Sequence, residues 1–225
     1  MKALAPQSTI QFDLLTNAID SLQYAIELLA WKDVSNDQRR MKQSIMAIAH
    51  GVELLLKERL KRVQPALVWE DVDKYPNLDA RTVGVDRALS RLCSIGGVEI
   101  RKEDSVLLKS LRRTRNAIEH FEWNTTIEEA KSVVGPALSF ALDFAARELQ
   151  RDLAYEFRRD DTWNQLIFEL TEFGAAHASR LTEHAGAQDA DLICCEHCSH
   201  WSITDPDSSC LLCGHWNAAP GQVPW

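Results

Sequence analysis

The stretch Met41-Lys-Gln-Ser-Ile-Met-Ala-Ile-Ala-His-Gly-Val-Glu-Leu-Leu-Leu-Lys-Glu-Arg-Leu60 decides the fold of this chain. Its apolar residues recur at steps of three and four, which places them on one face of an α-helix. We expect this helix to span residues 37–63 and to stop before Pro65, because proline cannot continue a helix. An amphipathic helix is not stable alone, so its apolar face requires partner helices.

The same period recurs along most of the chain and predicts those partners. We expect helices at residues 9–31 with Ser8 or Thr9 as the N-cap, at 85–94, at 103–123, at 125–158 with a kink or restart at Gly135-Pro136, and at 162–184. In the helix at 103–123, we expect the inward residues to be Val106, Leu107, Leu111 and Ile118. No segment alternates with the period of a β-strand, so the predicted fold class is all-α, an antiparallel helical bundle.

Composition places the chain among soluble globular proteins. It has 225 residues, of which 45% are hydrophobic and 26% are charged. The N-terminal residues turn polar too early for a secretory signal, and the uncharged stretch 132–142 is too short to cross a bilayer. We therefore expect a cytoplasmic protein with no membrane association.

The net charge of -8 is unevenly distributed. Residues 1–120 carry 19 Lys and Arg against 16 Asp and Glu, whereas residues 121–225 carry 6 against 17. A local basic cluster leads into His120, and it consists of Lys109, Arg112, Arg113 and Arg115. This cluster would attract a polyanion such as RNA. The alternative interpretation is a solvated helix face.

The segment Arg115-Asn116-Ala117-Ile118-Glu119-His120 combines a permanent cation with a group that carries protons near pH 7. Arginine grips a phosphate with two parallel hydrogen bonds, and histidine acts as acid or base, so the pair suits phosphodiester cleavage. Residues five apart lie about 140° apart around a helix, but a long arginine side chain can reach round. Asn116, four residues before His120, is placed to orient the imidazole. The alternative is that Arg115 pairs with Glu119 and that His120 only ends the helix.

The segment from Leu111 to His120 resembles the R-N-x-x-x-H motif of HEPN domains, which are all-helical modules that include many RNA endonucleases of toxin and antiviral systems. The segments 50–60 and 82–92 resemble the second helix and the following short helix of these domains. The resemblance covers about residues 8–158.

This resemblance implies a homodimer in which two copies of Arg115 and His120 form one metal-independent cleft. His120 would act as acid or base and Arg115 would stabilise the phosphorane, which gives 2′,3′-cyclic phosphate and 5′-hydroxyl ends. Glu53 and Lys57 would line the cleft, or would simply form a helix-supporting pair. The alternative function is a non-catalytic dimeric adaptor or nucleic-acid-binding module.

Four cysteines near the C-terminal end have the spacing of a zinc ribbon. They form two pairs, Cys195-x2-Cys198 and Cys210-x2-Cys213, and each pair is followed by a small residue, a histidine and a tryptophan. Four thiolates saturate tetrahedral zinc, so the expected Zn2+ is structural rather than catalytic. Replacement of a ligand by Cys194, His197, His200 or His215 is a less favoured alternative.

The chain is thus predicted to contain three units: a HEPN-like helical domain at 8–158, a connecting helix and linker at 159–190, and a zinc ribbon at 191–225. Because the ribbon has few basic residues, we expect Trp201 and Trp216 to pack over its small core or to contact a protein, such as a partner or an antitoxin, rather than to bind RNA tightly.

Overall fold

Eight α-helices account for most of the part of the chain that the computed structural model describes, namely residues 11–30, 37–158, 161–188, 191–205 and 208–216. Their bounds are α1 Leu14–Leu29, α2 Gln38–Val63, α3 Val85–Ser94, α4 Lys102–His120, α5 Ile127–Leu149, α6 Leu153–Phe157, α7 Asp161–Glu169 and α8 Thr171–His184. Two short 3-10 helices, Pro65–Val68 and Val72–Lys74, interrupt the loop between α2 and α3. The mostly helical fold expected from the sequence is confirmed.

Helices α1 and α2 pack closely along their apolar faces. Asp13 caps α1 by accepting a hydrogen bond from the backbone N–H of Thr16 at 2.7 Å. The predicted caps Ser8 and Thr9 lie outside the described residues. At the crossing, a Cβ on Gly51 would lie 2.9 Å from the Leu22 side chain, so a larger residue there would require Leu22 to shift. The close contact sets which residues of α1 and α2 face each other.

Helix α5 begins as predicted but ends earlier. Thr126 forms a capping box with Glu129, whose backbone N–H donates to the Thr126 hydroxyl at 3.1 Å. The helix is continuous through Pro136 and stops at Leu149, where Gln150 adopts a left-handed conformation with φ of 58°. The expected continuation to residue 158 is therefore wrong, and the short helix α6 follows instead.

Helix α4 turns inward three of the four residues that the sequence predicted, namely Leu107, Leu111 and Ile118, but not Val106. Leu108 and Leu111 are buried on this helix, whereas Val106 is 61% exposed. Three adjacent apolar residues, at 106–108, make the phase of the pattern ambiguous, so the expected inward position of Val106 is wrong. The helix ends at His120 rather than near residue 123, because Phe121 takes an extended backbone conformation.

Buried charges join α4, α5 and α8. The Arg180 guanidinium binds the Asp104 carboxylate and also lies 3.4 Å from Asp143. His184 Nε2 lies 2.5 Å from Asp143. Burial alone would raise the pKa of Asp143, but the hydrogen bond from His184 and the charges of Arg147 and Arg180 outweigh it and hold this pKa below its usual value. The network fixes α4 to the two helices behind it.

The predicted helix at 162–184 is two helices. The break falls at Leu170, whose ψ of 75° is not helical. Both helices contribute to the core, since Trp163 and Phe173 are fully buried and their rings meet edge to face. Beyond α8, strands β1 Ile193–Cys194 and β2 Trp201–Ile203 pair antiparallel beside the cysteines.

None of the helices described in this structure has both the length and the apolar character that a membrane crossing demands. The division of the chain into three units remains a prediction.

Candidate functional site

Arg115 and His120 lie at the C-terminal end of α4 and approach the same acidic side chain. Arg115 Nε lies 3.0 Å from Glu119 Oε2, and His120 Nε2 lies 3.7 Å from that same oxygen. The side chains of Arg115 and His120 are 39% and 65% exposed. One anionic oxygen is thus within reach of both the guanidinium and the imidazole, and both groups are open to solvent.

The position of Arg115 follows from the helical period. It lies seven residues after Leu108 and four after Leu111, so it continues the inward face of α4. The pairing of Arg115 with Glu119, which the sequence offered as an alternative, is present. The expected hydrogen bond between Asn116 and His120 does not occur between these two described residues, so Asn116 does not hold the imidazole.

The predicted RNA-binding residues separate into two groups. Lys109 and Arg113 are exposed on the face of α4 that also carries His120, since the three are spaced by four and seven residues. Arg112 instead forms an ion pair with Asp86 of α3 at 3.0 Å. The basic stripe on the face of α4 that carries His120 therefore contains Lys109 and Arg113.

Glu53 and Lys57 form the helix-supporting pair that was the alternative interpretation. The Lys57 ammonium donates to Glu53 at 2.6 Å and to the Thr82 hydroxyl at 2.9 Å, and Lys57 is only 8% exposed. Contact with RNA would first require these bonds to break. The structure gives Lys57 a role in joining α2 to the segment before α3.

A groove of about 320 Å³ runs between α1, α2 and α4, beside Arg115. Its walls carry the aromatic ring of Tyr24, the imidazole of His50 and the ion pair of Arg115 with Glu119. Met46 and Ala47 add apolar surface. Sequence reasoning gave His50 no role. The residues that meet here come from three helices, and no local motif marks that meeting.

A second groove, of about 620 Å³, opens beside the other face of the α4 terminus. It contains two basic residues, Arg39 and Lys42, and two aromatic residues, Phe121 and Trp123. Phe121 directly follows His120 and is 83% exposed. Single-stranded nucleic acids bind to surfaces with cations and aromatic rings, because the cations attract phosphates and the rings stack on bases. The sequence alone did not predict this groove.

One histidine belongs to the core rather than to a site. His177 is buried and stacks on Phe173 with ring centroids 5.3 Å apart. Burial lowers the pKa of His177 to about 3, so its imidazole is neutral at physiological pH.

The four predicted cysteine ligands come together as a candidate metal centre. The sulfur atoms of Cys195, Cys198, Cys210 and Cys213 all lie within 4.8 Å of one another, and two pairs are 3.7 Å apart. Zinc–sulfur bonds of about 2.3 Å in a tetrahedron place the sulfurs about 3.8 Å apart, so these residues fit a zinc ion. The four cysteines can hold a metal ion such as zinc.

Both cysteine knuckles have the same backbone geometry. Cys195 N–H donates to the carbonyl of His200, and Cys210 N–H donates to that of His215. The small residue after each second cysteine, Ser199 or Gly214, has a positive φ, as the tight turn requires. The internal repeat seen in the sequence is therefore a structural repeat.

The alternative ligands do not enter the cluster. Cys194 lies outside the group of four close sulfurs. His200 Nδ1 lies 2.7 Å from the carbonyl of Cys198, and the rings of His197 and His215 stack on each other. Without a cation, a hydrogen bond from Cys213 lowers the pKa of Cys210 to about 4, and burial raises that of Cys198 to about 12. A bound cation favours the thiolate form of all four.

The ribbon packs against α7, α8 and the residue that follows α6. Trp163 Nε1 donates to the Leu212 carbonyl at 3.0 Å, and Arg158 donates to that of Leu211 at 2.6 Å. Trp201 and Trp216, by contrast, are 63% and 60% exposed, so of their two expected roles packing over the ribbon core is wrong and contact with a protein stays a prediction.

Comparison with protein-family models, with curated proteins and with solved structures found no match to this chain.

Proposed function

We propose that this protein is a metal-independent RNA endonuclease that acts as a homodimer through Arg115 and His120, in a cytoplasmic toxin or antiviral defence system. The observation that carries the proposal is the convergence of both side chains on one anionic oxygen, that of Glu119. A non-bridging phosphate oxygen carries the same charge and would replace the carboxylate when RNA binds.

The reaction follows from the roles these groups can take. The ribose 2′-oxygen attacks the adjacent phosphorus while a base of the site accepts its proton, and the bond from phosphorus to the 5′-oxygen breaks. Arg115 stabilises the negative charge on the phosphorane, and His120 donates a proton to the departing 5′-oxygen. The products are a 2′,3′-cyclic phosphate and a 5′-hydroxyl.

Surface charge around the pair supports an RNA substrate. Lys109 and Arg113 extend the positive surface along α4, where they would contact phosphates on one side of the cleavage point. On the other side, Phe121 and Trp123 provide rings on which unpaired bases would stack. The homodimer with facing copies of Arg115 and His120 rests on the resemblance to HEPN domains.

The zinc ribbon has a separate role in this proposal. A four-thiolate zinc site has no open coordination position, so the ion would stabilise the fold of the ribbon. Trp201 and Trp216 would contact a protein partner, such as an antitoxin, because both rings are exposed on a surface with little positive charge.

The ion pair between Arg115 and Glu119 is the one observation that favours a second function. A guanidinium already neutralised by a carboxylate binds phosphate less readily, as expected in a non-catalytic adaptor of the same fold. In that case the basic stripe would bind nucleic acid without cleaving it.

Cleavage of labelled single-stranded, structured and transfer RNA by wild type, Arg115→Ala and His120→Ala tests the proposal. We expect each variant to lose activity by about 10² or more while helicity and oligomeric state are unchanged. Arg87→Ala, which removes an exposed cation from α3, is the control and should cleave normally. Wild-type protein that binds these RNAs without cleaving them supports the adaptor instead.

A further inference from the structure

His50 is a second imidazole at the candidate site, and its orientation is fixed by a hydrogen-bond chain. His50 Nδ1 lies 2.9 Å from the Ser21 hydroxyl, and that hydroxyl lies 2.9 Å from the backbone carbonyl of Asn17. A carbonyl only accepts hydrogen bonds, so both contacts are hydrogen bonds in only one arrangement, in which Ser21 donates its single hydroxyl proton to Asn17. The Ser21 oxygen must then accept a proton from His50, which places the ring proton of neutral His50 on Nδ1.

The consequence is a histidine whose other nitrogen is prepared to accept a proton. With Nδ1 protonated, Nε2 of neutral His50 carries a lone pair, and the structure gives this nitrogen no protein partner within the described residues. Gly51 and Leu22, the neighbours of His50 and Ser21, form the close contact between α1 and α2. The helix crossing therefore fixes the Ser21–His50 pair in place.

Arg115 lines the same groove as His50, and so do the other titratable groups that face it. Tyr24 contributes from α1, and Arg115 and Glu119 contribute from α4. A phosphate bound to Arg115 would lie in this groove, with an aromatic ring at one wall and His50 at another. His120 reaches the same region through its contact with Glu119.

On the basis of the proposed function, we propose that His50 is the general base of the cleavage reaction and that His120 is the general acid. His50 Nε2 takes the proton of the ribose 2′-hydroxyl as the 2′-oxygen bonds to phosphorus. His120 gives a proton to the 5′-oxygen as the bond from phosphorus to that oxygen breaks. The site then holds a protonated His50 and a neutral His120, and both return to their starting states by exchange with water.

Kinetics on two substrates distinguish the base from the acid. On RNA, His50→Gln and His120→Ala should each lose about 10²- to 10⁴-fold in kcat. On uridine 3′-(4-nitrophenyl phosphate), whose leaving group departs without a proton, His120→Ala should retain most of its activity and His50→Gln should not. The residual activity of His50→Gln should also lose the rise with pH on the acidic side of the profile, and added imidazole should partly restore His50→Ala.

The outcomes separate this inference from the proposed function. If wild type cleaves RNA and His50→Gln cleaves it equally fast, His50 is not the base and the proposed function stands. If wild type leaves RNA intact, the proposed function and this inference both fail. Arg87→Ala, which removes an exposed cation from α3 and leaves the groove unaltered, should remain active.

A measurement without substrate tests the hydrogen-bond argument itself. In ¹⁵N-labelled protein at a pH where His50 is neutral, NMR should find Nδ1 protonated and Nε2 bare, and Ser21→Ala should weaken this preference. Neutral His50 protonated at Nε2 in the wild type would overturn its assignment as the base, whatever the activity of the variants.

Discussion

Replacing Glu119 by glutamine should strengthen RNA binding, because it frees the guanidinium that the proposed site needs. The Glu119 carboxylate lies 3.0 Å from Arg115 Nε on a partly exposed surface. Exposed ion pairs are worth about 0.2–1 kcal/mol, and 1.4 kcal/mol is a tenfold change in affinity. RNA that must displace this carboxylate should therefore bind about 1.4- to 5-fold more tightly to the variant.

Fluorescence anisotropy with a labelled single-stranded RNA measures this change, in a His120→Ala background so that the RNA stays intact. The matched control is Glu122→Gln, which makes the same change in net charge just beyond the end of α4. The advantage of Glu119→Gln should shrink as salt is raised, because screening weakens exposed charge interactions. Loss of the pair should lower stability by only about 0.3–0.5 kcal/mol.

Two results would refute this reasoning. If the two glutamine variants gain the same affinity, the effect is one of net charge and not of Arg115. If Glu119→Gln binds RNA no better than its parent, Arg115 does not hold the phosphate, and the convergence of the two side chains on Glu119 has no bearing on substrate.

Stability and metal content supply three more tests. Asp104→Asn should lower the free energy of unfolding in urea by about 3–5 kcal/mol, because it leaves Arg180 buried without its main partner. Glu103→Gln, at an exposed position, is the control and should change this free energy by less than about 0.5 kcal/mol. Equal effects of the two substitutions would contradict the prediction. The folded-state pKa of Asp143 is lowered, so its contribution to stability is present above the ordinary value of 3.8 and is lost as pH falls below it. Asp143→Asn should therefore flatten the dependence of Tm on pH in that range. An unchanged slope would contradict this. Purified protein should contain about one zinc per chain by elemental analysis. Cys213→Ser should lose the zinc, and the control Cys93→Ser should keep it. A wild type without zinc, or a Cys213→Ser variant that still contains it, would contradict the assignment of these cysteines as zinc ligands.

Local sequence pattern was sufficient for the helices whose ends are marked by strong signals. Helix α3 has the predicted bounds, and α2 begins one residue later than expected, after its cap Asp37. The cysteine cluster could also be predicted from the sequence, because its four ligands come from two short repeats whose spacing fixes the turn geometry. The HEPN resemblance predicted a helical bundle, and its finer details remain a prediction.

The errors arose where distant parts of the chain decide the outcome. Helix α5 ends at Gln150, which adopts a left-handed conformation without being the glycine that usually marks such a cap. The exposure of Val106 depends on how α4 packs against other helices, which the run of three apolar residues at 106–108 does not reveal. Packing also decided the exposure of Trp201 and Trp216, which lie outside the ribbon core.

In the candidate site, too, the contacts between residues close in sequence were easier to predict than those between distant residues. The pair of Arg115 with Glu119 joins residues four positions apart, so the helical period was enough to offer it as an alternative, whereas the contact of His120 with Glu119 was not predicted. The hydrogen bond between Ser21 and His50 joins residues 29 positions apart on two helices. Only the packing of α1 on α2 brings those residues together, and no spacing in the sequence could have shown it.

Analysis of the ends of cleaved RNA tests the central claim most directly. Wild-type protein incubated with RNA in the presence of a metal chelator should produce 2′,3′-cyclic phosphate and 5′-hydroxyl ends, and Arg115→Ala and His120→Ala should produce neither. RNA left intact by the wild type, or cleaved as well by both variants, would contradict the claim that this arginine and this histidine cut a phosphodiester bond.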